Sequence, residues 1–154
     1  MVLMKSFGAP ILPLAITMGD AAGIGPETIV KAFQQQPALL RNSFVVGDIA
    51  TMRRAAGVLA RAGQPAWPIA AISHPQQALV SLPRCISVLQ VGSPMEAVPW
   101  GVVSAQAGAL AGQCVEWAAD AALRGEVCAL VTAPLHKEAL NAAGAPYDGF
   151  AGHT

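Results

Sequence analysis

The chain has 154 residues, 54% of them hydrophobic and only 12% charged, a composition that excludes intrinsic disorder and suits one domain able to bury its own core without disulfide or metal staples. Nine Lys and Arg balance nine Asp and Glu, and neither sign runs longer than Arg53-Arg54, so no basic stripe exists to neutralise a nucleic acid backbone. Cys85, Cys114 and Cys128 are odd in number and widely spaced, which fits neither a zinc knuckle nor a disulfide framework and points to the cytoplasm.

At the start of the chain, Lys5 precedes an apolar stretch that superficially resembles a signal peptide, but Pro10 and Pro13 would break its helical core. Leu12 to Met18 reads instead as a buried strand ending in a turn at Gly19-Asp20. No apolar run approaches the ~18 residues of a membrane span. A helix follows over Pro26 to Gln36, with Pro26 at its first position and Glu27 as an acid in its first turn. A strand over Ser43 to Val46 leads into a helix over Ile49 to Ala62. Strands at Trp67 to Ile72 and Cys85 to Val91 flank a loop from Ser73 to Arg84, marked by His74-Pro75 and Pro83. A second loop, Gly92 to Gly101, precedes a long helix from Val103 to Arg124 that Gly125 stops. Its many small residues, among them Ala107, Gly108, Ala111, Gly112 and Ala118, imply close packing onto a sheet, with a subunit contact as the alternative. A strand at Val127 to Val131 and a helix at Leu135 to Ala143 complete the pattern. Short apolar strands alternating with helices specify an α/β fold, a mostly parallel sheet covered by helices.

Three segments could carry chemistry. Thr17 to Glu27 is a strand, a glycine-bearing loop and a helix start, which suits an anion or other ligand because free N–H groups favour negative charge there. Its glycines match neither GxGxxG nor a P-loop, so a tight turn explains them as well, and Asp20 is the ionisable residue near the strand end. Ala129 to Glu138 delivers Thr132, His136 and Lys137 beyond the carboxyl end of a strand, where ligands of open α/β sheets bind, although such residues on a surface helix are commonly just solvated. Gly149 to Thr154 could present an imidazole and a hydroxyl, His153 and Thr154. His74, His136 and His153 have no carboxylate at ligand spacing, so the sequence shows no self-contained metal site.

Taken together, Met18-Gly-Asp-Ala-Ala-Gly-Ile-Gly-Pro-Glu27, Leu130-Val-Thr-Ala-Pro-Leu-His-Lys-Glu138 and Gly152-His-Thr154 resemble, in order and separation, the 4-hydroxythreonine-4-phosphate dehydrogenase family of vitamin B6 synthesis. Ala21 stands where the family usually carries Pro, and His136 where many members carry Asn. The resemblance implies an isocitrate/isopropylmalate dehydrogenase-like fold, of which residues 1–154 would be the N-terminal portion of a two-domain enzyme, the second half lying beyond Thr154. It implies NAD- or NADP-dependent oxidation of 4-phosphohydroxythreonine with decarboxylation to 3-amino-2-oxopropyl phosphate, assisted by a divalent metal. A relative acting on phosphorylated four-carbon sugar acids such as phosphothreonate is the alternative, and a non-catalytic fragment is another. What carries over residue by residue is His153 and Thr154 as substrate-binding positions. No catalytic, cofactor-binding or metal residue carries over, the metal ligands being expected in the second half. The resemblance further implies a homodimer, with neither nucleic acid nor membrane as partner.

Overall fold

The computed structural model describes residues 10–60 and 65–144. Strands β1 (Leu14–Thr17), β2 (Ser43–Gly47), β3 (Ile69–Ile72), β4 (Ile86–Gln90) and β5 (Ala129–Thr132) form one sheet in the order β3-β4-β2-β1-β5. Every pairing is parallel, with Ala15 opposite Phe44 and Leu130, and Val45 opposite Val88. Helices α1 (Gly25–Gln35), α2 (Ile49–Val58), α3 (Ala105–Leu123) and α4 (Lys137–Ala142) connect or follow the strands. The alternation read from the sequence is therefore present element by element. The helix expected over Ile49 to Ala62 stops at Val58, and Arg61 and Ala62 fall outside the described residues. The loop expected from Ser73 to Arg84 contains a short 3-10 helix, Pro75–Val80, because the Gln77 side chain accepts from the backbone N–H groups of Ser73 and His74 and closes the turn.

The strand order dictates which face each helix covers. A right-handed crossover from β1 to β2 or from β2 to β3 moves toward one edge, whereas the crossover from β4 to β5 moves toward the other. Helices α1 and α2 accordingly pack together on one face, and α3 lies against β1, β2 and β5 with α4 beside it. β2 is buried along its whole length. Around it Ala15, Phe44, Val45, Val46, Ile86 and Val88 form the centre of the core, and the Trp117 ring of α3 meets Phe44 edge-on at 6.2 Å. The small residues of α3 serve a backbone-to-backbone contact. A Cβ placed on Gly108 would lie 2.1 Å from the Ala139 carbonyl oxygen, so at this position α3 is pressed onto α4 as well as onto the sheet.

Candidate functional site

The chain leaves β1 toward α1 on one face and leaves β5 toward α4 on the other. The carboxyl ends of these two neighbouring strands therefore bound the crevice at which open α/β sheets bind ligands. Its walls are stitched together by main chain. Ala133 donates to the Thr17 carbonyl at 3.1 Å, and Asp20 donates its backbone N–H to the Pro134 carbonyl, also at 3.1 Å. Gly19 makes this possible. Its φ is +74°, and a Cβ there would sit 2.5 Å from the Pro134 oxygen, so a side chain is excluded by both conformation and space.

Asp20 is 5% exposed. Its Oδ1 accepts from the Ala22 N–H at 2.9 Å, and its own carbonyl accepts from Gly23 at 3.0 Å, folding the motif into a tight turn. The hydroxyl of Thr17 and one carboxylate oxygen of Glu27 are buried with no hydrogen-bond partner. Buried polar atoms of this kind are rare enough to require a reason, and both lie on the segment singled out from the sequence. Glu27 borders a groove of about 390 Å³ lined also by Ala22, Gly23, Ile24, Val58 and Trp100. Two larger cavities, about 640 and 670 Å³, surround Trp67 and Arg84 at the opposite end of the strands, away from the crevice.

The loop expected from Gly92 to Gly101 folds over the motif. Gly101 donates to the Ala22 carbonyl at 2.8 Å. From α2, Arg54 donates Nη1 to the Val98 carbonyl at 2.7 Å and Nη2 to the Ala21 carbonyl at 2.9 Å, with its guanidinium 4.8 Å from the Trp100 ring centre. Arg54 and Trp100 had no functional signal in the sequence, since their partners are distant along the chain.

Next along the sheet, Asp48 closes the end of β2. It is 0% exposed, yet each carboxylate oxygen is occupied. Oδ2 accepts from the Thr51 N–H and hydroxyl at 2.7 and 2.8 Å, and Oδ1 from Gln90 and the Met95 N–H, both at 3.1 Å. Burial pushes this carboxyl up, but the bonds from Thr51, Met95 and Gln90 outweigh it and hold it below the usual aspartate value. Asp48 is thus the N-cap of α2 and a tie to β4. Burial, helped by the Asp48 charge, pushes the Cys114 thiol up to about 12, so this sulfur is an inert core group.

Of the other segments read from the sequence, Thr132 lies exposed at the end of β5. His136 is exposed but not merely solvated. Its Nδ1 accepts from the Ala139 N–H at 3.3 Å, which makes it the N-cap of α4. Lys137 is exposed on the first turn of that helix. His153 and Thr154 lie outside the described residues. Among the described residues, no group of three His, Cys, Asp or Glu could hold a metal ion, and no helix is long and apolar enough to cross a membrane.

The sequence model of the pyridoxal phosphate biosynthetic protein PdxA matches residues 40–154. The chain belongs to the PdxA family. It is similar to D-threonate 4-phosphate dehydrogenase of Pectobacterium atrosepticum, 42% identical over 139 residues that make up 88% of this chain and 41% of that protein. It is also similar to 4-hydroxythreonine-4-phosphate dehydrogenase of Beijerinckia indica, 40% identical over 89% of this chain and 39% of the relative. Among solved structures, 4-hydroxythreonine-4-phosphate dehydrogenase of Klebsiella pneumoniae superposes with a TM-score of 0.76 at 39% identity, over 89% of this chain and 41% of that one. The same enzyme of Burkholderia phymatum gives 0.78 at 36% identity, over 91% and 42%. The PdxA-family chain thus spans about 41% of the length of such relatives, and its α/β fold is theirs.

Proposed function

We propose that the protein carrying this chain is a dehydrogenase that oxidises the secondary alcohol of a phosphorylated four-carbon hydroxy acid, with NAD or NADP accepting the hydride. The observation that carries this reading is the PdxA match over residues 40–154, joined to relatives about 40% identical whose names give a four-carbon acid bearing a 4-phosphate as substrate. One substrate is 4-phosphohydroxythreonine, whose oxidised product loses carbon dioxide to give 3-amino-2-oxopropyl phosphate in vitamin B6 synthesis. The other is D-threonate 4-phosphate, favoured by the 42% and 44% identities to enzymes of that name.

In this reading the loop after β1 forms one wall of the cleft, and Asp20 is its ionisable group at the strand end. His153 and Thr154 would bind polar groups of the substrate and present its C–H to the cofactor. The N–H groups of Gly25 and Glu27 in the first turn of α1 find no acceptor among the described residues. The carboxylate of Glu27 shares that turn and offsets its pull on a phosphate, so no residue here is assigned to the cofactor. The described residues do not fit a divalent metal, and no step is routed through one. The reading places the protein in the cytoplasm as a homodimer.

The test follows reduced cofactor by absorbance with each of the two substrates, using the protein at the full length of its relatives. Turnover of either one is expected, and turnover of neither would end the reading. His153→Ala or Thr154→Ala should lower kcat/KM by about tenfold or more, equivalent to one lost hydrogen bond to a charged ligand at ~1.5 to 3 kcal/mol, with the melting temperature unchanged.

A further inference from the structure

Ala21 and Ala22 are joined by a trans peptide bond, in which the carbonyl of one residue and the N–H of the next point in opposite directions. The Ala21 oxygen accepts from Arg54 Nη2, and the Ala22 N–H on the far side of the same peptide plane donates to Asp20 Oδ1. One rigid unit therefore joins the guanidinium to the carboxylate. The next peptide repeats the arrangement, with the Ala22 oxygen held by Gly101 and the Gly23 N–H turned onto the Asp20 carbonyl.

We infer that Arg54 is a positioning residue, fixing the Asp20 carboxylate beyond the carboxyl end of β1 through the Ala21–Ala22 peptide plane. The inference rests on the dehydrogenase reading above. Arg54 has no carboxylate partner, since the ion pair among the described residues is Arg124 with Glu126. Its two hydrogen bonds go instead to carbonyls of two different loops, at Val98 and Ala21, and Trp100 covers one face of its fork. A lysine keeps the charge but has a single nitrogen, so it cannot span both carbonyls in this planar geometry. Donation to the Ala21 oxygen also polarises the peptide, strengthening the N–H that Asp20 accepts.

A double-mutant cycle in the full-length enzyme tests this. Arg54→Ala is expected to lower kcat/KM by roughly 30-fold, mostly in kcat, as befits a misplaced rather than a missing group. In an Asp20→Ala background the same change should cost about twofold or less, because the group it positions has gone. Arg54→Lys, which keeps the charge and the stem, should share most of the defect, and it serves in place of Arg54→Ala if that variant does not fold. Added guanidinium ion, well below denaturing concentration, should restore turnover to Arg54→Ala but not to Arg54→Ala combined with Asp20→Ala. Additive losses, or an Arg54 variant that melts earlier yet keeps wild-type kcat and KM while folded, would overturn the positioning role. A wild-type enzyme inert toward both substrates would remove the dehydrogenase reading itself, and the positioning role with it. That outcome is distinct from an active wild type with an uncoupled cycle.

Discussion

Two Gly-Asp pairs stand at the ends of adjacent parallel strands, Gly19-Asp20 just beyond β1 and Gly47-Asp48 where β2 ends, and they have opposite fates. Asp48 is sealed in the core with both oxygens occupied by Thr51, Gln90 and Met95. Asp20 makes one side-chain hydrogen bond, to the turn it shapes, and has the unpartnered Thr17 hydroxyl and Glu27 oxygen on the same segment. A carboxylate surrounded by matched donors has no capacity left for a ligand, whereas a strand end with unsatisfied polar atoms is where a ligand gains by supplying them. The same dipeptide is a structural tie in one place and a candidate binding element in the other. What differs is the company each keeps.

The sharpest way to break the comparison is to remove the saturated aspartate. Asp48→Ala takes the cap from α2, leaves the Met95 N–H without its acceptor, and removes one of the two bonds of the Gln90 amide, which keeps the Val91 carbonyl. Loss of a cap and of bonds to two enclosed donors should destabilise the protein by about 3 kcal/mol in urea unfolding. A change below ~1 kcal/mol would show that the Asp48 network is not the tie it is taken for.

The pH dependence of stability sharpens the same contrast. Asp48 has its folded carboxyl held below the ordinary value, so its contribution is complete above the unfolded-state pKa of about 3.9 and is lost as pH falls through the folded one. The wild-type protein should therefore lose stability more steeply than Asp48→Asn as pH falls below about 4. Parallel curves in denaturant melts across that range would contradict the assignment.

Much of the fold was legible because short apolar strands alternate with helices that carry ordinary boundary signals, such as Pro26 at the start of α1 and Gly125 after α3. The strand order was not, since nothing local to Ile86–Gln90 says that it inserts between β2 and β3. The site was legible only as a segment. Asp20 stood out beside its glycines, but the partners that separate Asp20 from Asp48 lie far away in sequence. Gln90 and Met95 are 42 and 47 residues beyond Asp48, and Arg54 is 33 beyond Ala21. The cap made by His136 escaped for another reason, as histidine is outside the usual capping set of Ser, Thr, Asp and Asn.

The smallest effect on stability is expected at the other aspartate, and there the comparison is decided. Asp20→Ala removes one hydrogen bond, to the Ala22 N–H. The turn keeps its main-chain ties, from Asp20 to Pro134, from Gly23 to Asp20 and from Gly101 to Ala22. With the backbone still held, the loss should be about 1 kcal/mol or less, within the usual worth of a single intramolecular bond. Turnover should nevertheless fall by more than tenfold if this carboxylate faces the ligand, because a group that holds or orients substrate contributes to the transition state rather than to the fold. Urea unfolding and steady-state kinetics on the same preparation give both numbers. If stability falls as far as in Asp48→Ala while kcat/KM is unchanged, the two Gly-Asp pairs are both structural, and the ligand-facing side of the crevice lies on β5 and the residues after it.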